Sequence, residues 1–468
     1  MVFSSLIFLV IFLPLVLLCL RVFPTSFHNA ILLVFSLLFY AWGEPKYILL
    51  MLLIISLGYF TGIWMSKYPL ASNKRKCVLA LVITLDLVLL GFFKYADLII
   101  SGANQLVQGD MPLLHIALPL GISFYTFQTM SYSIDVYRGD VNAQKSWLKF
   151  ATYVSLFPQL VAGPIVRYHD IEKELEYRKI SADEITYGCE RFLWGLAKKV
   201  LLANPMGLLS KSILESPLEH MPTITAWVAL LAFTFQIYFD FSGYSDMAIG
   251  LGRVLGFHFL ENFNYPYMAH SIKNFWERWH ISLSEWFKQY LYIPLGGNKG
   301  STLRKGFNLF LVWLLTGLWH GAHYNFILWG LYYFVLISSE RAYRKYVSKK
   351  DSPPSLSGNI ATIFAVMVGW GIFMMTDFID LLAFFKALFH LNGQGFLDEV
   401  GRFFTLEYLP ILIFAVFAST PYPMKYLSLL KNDKIGKYIY QFVLIFIGIW
   451  CIAGIVKDTY NPFLYFRF

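Results

Sequence analysis

Two histidines, His320 and His323, stand in LLTGLWHGAHYNFILWG (residues 314–330), a stretch that is otherwise apolar or aromatic. Imidazole has an ordinary pKa of about 6.5, so it can take up and return a proton near neutrality. An ionisable ring at membrane depth is costly and reads as functional by default. A third ring, His280, lies in NFWERWHISLSEWFKQYLYIPLGGN (274–298), among Trp276, Glu277, Arg278, Trp279, Glu285, Trp286 and Lys288. The i, i+3 spacing puts His320 and His323 on one helix face. A metal pair would share that spacing. No Cys, Asp or Glu lies in the segment, however, and zinc takes at least three protein ligands, so no metal site is expected. The bland alternative for each ring is a hydrogen bond to buried neighbours.

The surroundings of these rings are membrane-like. Of 468 residues, 57% are hydrophobic and 14% charged, against about 25% charged in soluble proteins. Aromatics reach 19%, which suits interfacial anchoring. The net charge of +9 falls in short loops between apolar runs. That pattern is membrane orientation, not nucleic-acid binding. The four cysteines are scattered without a CxxC pair and read as small hydrophobes. The N-terminal apolar run lacks a basic n-region and reads as a retained span.

Apolar runs fall at 5–22, 28–42, 46–66, 77–93, 113–131, 148–165, 186–206, 223–250, 307–319, 321–339, 357–376, 405–420 and 438–455. A full span needs roughly 20 apolar residues, so some of these are short or re-entrant. The expectation is an all-α polytopic protein with about 11–13 membrane segments. No domain-sized linker interrupts the chain. Residues 1–468 read as one integral membrane domain, with N-terminal spans (1–110), a core holding the histidine motifs (111–345) and C-terminal spans (346–468). Basic loops at 66–76, 340–350 and 424–437 are assigned to the cytoplasm, and the acidic 377–404 to the outside. Segment 167–190 reads as amphipathic surface helices.

This layout positions the opening stretch. From Gly306 to Gly317 is about 12 residues, or about 18 Å of helix. That passes the middle of a core about 30 Å thick without crossing it. A turn at Gly317 and Gly321 would then place His320 within the membrane, where broken backbone must be buried in protein or line a wet cavity.

The WERWHISLSEWF block, followed some 40 residues on by an intramembrane WHG, resembles the membrane-bound O-acyltransferase (MBOAT) superfamily. YLYIPLGGN narrows the likeness to the bacterial branch that holds the alginate O-acetyltransferase membrane subunit. FPQLVAGPIVRYHD (157–170), LPLGISFYTFQTMSYSIDVYRG (118–139), FDFSGYSDMAIGLGRVLGF (239–257), SLLFYAWGEPKYILL (36–50) and NPFLYFRF (461–468) are also similar to that branch. The resemblance implies a catalytic His320 and a second functional His280. It implies cytoplasmic acetyl-CoA as acyl donor, with no bound cofactor. An extracytoplasmic, esterase-like acetyltransferase partner would complete transfer to an exopolysaccharide hydroxyl at the bacterial cytoplasmic membrane. In that chemistry His320 serves as base for an incoming hydroxyl, or alternatively as a direct nucleophile. D-alanyl transfer to teichoic acids, a transporter and a non-enzymatic scaffold are the competing readings.

Other polar residues in apolar stretches are ranked below these. Trp319 and His323 support His320. Asn325 would orient a histidine or help hold an oxyanion. Asp240 and Asp246 would line the reaction tunnel or order a helix break at Gly243. Asp86 would form a structural pair with Lys94. Arg167 and Arg278 are expected to meet CoA phosphates, since Arg suits bidentate phosphate contact.

Overall fold

The computed structural model describes residues 1–348, 354–457 and 463–464, and all regular structure among them is helical. Of the NPFLYFRF end only Phe463 and Leu464 are described, and the tail of the 340–350 basic loop lies outside the described residues. The chain opens with α1 (Leu13–Val22), α2 (His28–Ala41), α3 (Ile48–Ser66) and α4 (Asn73–Val107). Next come α5 (Ile122–Arg138), α6 (Trp147–Ser155), the single turn α7 (Phe157–Leu160) and α8 (Tyr168–Glu176). The helix α9 (Ala182–Ala197) runs through a π-helical stretch, Lys198–Ala203, into α10 (Asn204–Leu214). Then follow α11 (Thr223–Val254), the short α12 (Ile272–Trp276) and α13 (Ile281–Phe287), α14 (Thr302–His320) and α15 (Tyr324–Tyr343). The C-terminal part holds α16 (Leu356–Met374), α17 (Phe378–Leu388), α18 (Glu399–Ala418), α19 (Tyr422–Leu429) and α20 (Lys434–Lys457).

Among the described residues, six helices are long and apolar enough to cross a membrane: Pro45–Ser66, Asn73–Val107, Thr223–Val254, Leu356–Met374, Glu399–Ala418 and Lys434–Lys457. Two shorter apolar helices, Phe8–Val22 and Thr25–Ala41, join them. The protein is therefore an all-helical, multi-pass membrane protein. The apolar window of α11 is 83% buried inside the protein and that of α20 only 11%, so α11 is a core helix and α20 a peripheral one.

The chain forms two compact units. The first holds residues 1–192 and 244–261, the second residues 193–243 and 262–468. Stacked and edge-on Phe rings (Phe8, Phe12, Phe39, Phe157) fill the first. A tryptophan-rich cluster fills the second, and both histidine motifs belong to it.

Gly243, expected to order a helix break, and Gly317, expected to let the backbone break or pack closely, both serve close packing. The helix α11 runs unbroken through Gly243, where an added Cβ would meet the Gly195 carbonyl oxygen at 2.7 Å. Likewise α14 runs unbroken through Gly317, whose added Cβ would meet the Phe326 oxygen at 2.3 Å. Both glycines let two helix backbones touch. At 19 residues, α14 spans about 28 Å. The turn thus comes after His320 and not at Gly317, which corrects the half-span expectation.

Candidate active site

His320 is the last residue of α14 and is 7% exposed. Its ring meets three aromatic rings edge-on: Trp319 at 4.9 Å, Trp329 at 5.0 Å and Phe373 at 5.4 Å. The WHG sequence has a steric cause here. Gly321 leaves the helix in extended backbone, and a Cβ on it would meet the Phe326 ring at 2.2 Å.

His280 occupies the joint between α12 and α13, in left-handed backbone at φ +45°. That conformation is sparsely populated by non-glycine residues and persists only where the surroundings hold it. The holder is Asn262. Its Oδ1 accepts from His280 Nδ1 at 3.1 Å, from Ser282 N at 3.2 Å and from Ser282 Oγ at 2.8 Å. Its backbone oxygen accepts from Ile281 N at 3.0 Å. An amide oxygen cannot donate, so Nδ1 of His280 carries the ring proton and Nε2 the lone pair. The ring is 1% exposed and stands edge-on to Phe241 at 4.7 Å. Trp319 touches both rings, lying 6.0 Å from His280, and so joins the two histidine motifs.

The other expected site residues are placed less uniformly. His323 is exposed and begins the next helix, past extended Gly321, so it does not share a helix face with His320. Asn325 uses its Nδ2 on the Ile372 and Phe373 carbonyls, at 3.3 and 2.9 Å. It therefore bears on His320 by fixing Phe373, and both of its N–H groups are occupied. Asp240 is buried in an ion pair with Lys199 at 2.7 Å and accepts from Leu464 N at 2.7 Å. Its neighbour Phe241 is the ring against His280.

In the first unit Asp246 pairs with Arg191 at 2.6 Å. There also Asp86 is buried, with the Thr129 hydroxyl at 3.5 Å. Arg278 holds its own turn through Asn274 Oδ1 and the Asn264 carbonyl, both at 3.1 Å. Arg167 is clasped bidentately by Asp170 at 3.1 and 3.0 Å. The two arginines belong to different compact units and are committed to local contacts.

A cavity of about 530 Å³ opens among α12, α13, α14 and α15. Four cations line it, Lys273, Lys288, Arg341 and Arg344. Three of them are paired, Lys273 with Glu277 at 3.4 Å, Lys288 with Glu285 at 3.1 Å and Arg344 with Glu340 at 3.1 Å. Its apolar wall includes Trp276, Trp313 and Leu309, and Thr316 lines it too. Thr316 precedes His320 by one helical turn, about 6 Å along the axis. Arg341, in the last turn of α15, and Arg344, at the start of the π-helical stretch after it, lie in the basic segment 340–350. The composition of that segment does not reveal that two of its cations face a cavity.

Residues 141–384, which contain both His280 and His320, match the family described as "MBOAT, membrane-bound O-acyltransferase family". The chain belongs to this family. It is thus a membrane O-acyltransferase. It is 41% identical over 406 residues to the "Probable alginate O-acetylase AlgI" of Pseudomonas aeruginosa, covering 86% of this chain and 77% of that protein. It is 35% identical over 387 residues to the "Peptidoglycan O-acetyltransferase" of Helicobacter pylori, covering 76% and 73%. It is 27% identical over 260 residues to the "Teichoic acid D-alanyltransferase" of Bacillus subtilis, covering 53% and 65%.

Proposed function

We propose that this acyltransferase moves acetyl groups from cytoplasmic acetyl-CoA, across the bacterial inner membrane, toward hydroxyls of an extracytoplasmic polysaccharide. A secreted esterase-like partner would complete the transfer, and an alginate-like exopolysaccharide is the first candidate acceptor. The observation that carries this reading is the cation-lined cavity that ends one helical turn from His320. The Arg and Lys side chains that line it suit the phosphates of CoA, and the apolar wall suits the pantetheine arm. The acetyl acceptors named among the relatives match far more of the chain than the D-alanyl one does.

In this mechanism the acceptor oxygen attacks the thioester carbonyl as His320 takes its proton. The C–S bond then breaks, the thiolate leaves, and the proton on His320 returns to it as free thiol. His280, with its lone pair on Nε2, accepts a hydrogen bond from the incoming hydroxyl and aligns it. Tight aromatic walls exclude water from the imidazole of His320, which limits hydrolysis of the thioester.

The test is CoA release from acetyl-CoA by the protein in lipid nanodiscs, alongside acetate content of the polysaccharide in cells. His320→Ala, at normal abundance, is expected to lower transfer by about 10²–10⁴-fold, the usual worth of a positioned base. Retained transfer in that variant would overturn the assignment of His320.

A further inference from the structure

We propose that Trp329, backed by Tyr333 and Trp313, limits the acyl donor of this enzyme to a two-carbon group. The proposal rests on the reading above of His320 as the reacting base and the cation-lined cavity as the donor site.

Trp276 and Trp313 line the donor cavity. Behind them stands Trp329, 1% exposed, with ring centroids 5.6 Å from Trp276 and 6.2 Å from Trp313. The far side of the same indole is 5.0 Å from His320, edge-on. Tyr333 closes the remaining side, 5.2 Å from Trp329 and 4.8 Å from Trp276. Centroid spacings of this size are van der Waals contact between rings. An acyl group that reaches His320 from the cavity therefore has Trp329 directly in the path of any further carbons.

The backbone cannot yield to make room. Between α14 and α15, a Cβ on Gly330 would meet the Trp313 oxygen at 2.4 Å, and one on Gly317 the Phe326 oxygen at 2.3 Å. The two helices already touch at the level of Trp329. A longer acyl chain could be admitted only by displacing an indole packed on at least five rings, Trp276, Trp313, Tyr333, Phe373 and His320.

A second observation points to a ligand group at this spot. The indole N–H of Trp329 is buried with no hydrogen-bond partner among the described residues. An unmet buried donor is destabilising, and a protein retains one where a ligand supplies the acceptor. A thioester carbonyl brought between the cavity and His320 is such an acceptor.

The experiment compares acetyl-, propionyl-, butyryl- and hexanoyl-CoA as donors for the protein in nanodiscs, reading kcat/KM from CoA release. Each ratio to acetyl is internal to one preparation, so a general loss of folded enzyme cancels. Wild type is expected to lose about tenfold or more per added methylene, as hydrophobic pockets do. Trp329→Leu is expected to raise the butyryl-to-acetyl ratio by about tenfold or more. If that variant fails to accumulate, Trp329→Phe, which keeps a smaller ring in place, is expected to raise the same ratio in the same direction. An unchanged ratio in the variant that accumulates overturns the role of Trp329. Wild type that accepts hexanoyl-CoA as readily as acetyl-CoA overturns it too, while leaving the acetyl-transfer reading intact. Wild type that consumes no acyl-CoA at all overturns both.

Discussion

Asn262 governs His280 from 18 residues away along the chain. One side-chain oxygen fixes the tautomer of the ring, and the same residue's two oxygens tie down the left-handed turn that carries it. Removing that side-chain oxygen frees the tautomer and leaves only the backbone oxygen to hold the turn. Asn262→Leu is expected to lower kcat by about 10²-fold, the cost of a reacting group displaced by roughly an ångström, with a smaller change in KM. Asn262→Asp keeps an acceptor for Nδ1 and is expected to recover most of the loss. Equal loss in both variants, measured as kcat in nanodiscs, would mean that Asn262 only packs. Nothing in the sequence marks Asn262, because its partners are reached across a non-helical segment with no period to follow. His280 and His320 were legible as candidates because each is an ionisable ring directly preceded by tryptophan in apolar surroundings. His323 does not share a helix face with His320 for a local reason. Extended Gly321 ends the helix between the two rings, and the spacing rule holds only inside one helix.

At the scale of elements, apolar runs predicted helices well. The run at 307–319 lies inside α14, that at 357–376 coincides with α16, and that at 438–455 lies inside α20. Run length was less informative at 77–93, where α4 extends at both ends to 35 residues. The glycines were harder to read, since a glycine that breaks a helix and one that lets two helices touch look alike in sequence. The structure separates them, and α14 contains both an intimate site and an open one. Around Gly306 an added Cβ meets nothing within 4 Å, whereas Gly317 faces α15. Its counterpart on α15, Gly330, faces the Trp313 carbonyl at 2.4 Å. Gly330→Ala is therefore expected to destabilise the enzyme by about 1–3 kcal/mol through overpacking. Gly306→Ala is expected to be neutral or stabilising by up to about 1 kcal/mol through helix propensity. Thermal unfolding in detergent reads both. Similar shifts in the two variants would show that α14 and α15 are not held in backbone contact.

Across the whole molecule, charge is concentrated where the chain leaves the apolar spans, and there the residues pair over long sequence distances. In the first unit Arg191 bridges Asp246 and Glu261, Arg253 meets Glu184, and His258 meets Glu174. Composition and loop charge gave the class and the expected orientation of the protein. They could not give these pairings, because each depends on helices that meet only after folding. A separate charged cluster of that unit responds to pH. His169, on α8, hydrogen-bonds Asp135 at 3.4 Å and also lies against Asp170 at 3.1 Å, which itself clasps Arg167. The Asp135 and Asp170 carboxylates raise its pKa from 6.5 to about 9, against the opposing effects of burial and of Arg167. A raised pKa means that the folded state holds the proton more tightly than the unfolded chain does. The stabilisation is therefore complete below pH 6.5 and is lost as pH rises through about 9. His169→Gln lacks this proton. The melting temperature of wild type minus that of His169→Gln is thus expected to be largest near pH 6 and to shrink steadily toward pH 9. A difference that stays constant across that range would show that the imidazolium contributes nothing to holding α8 against α5.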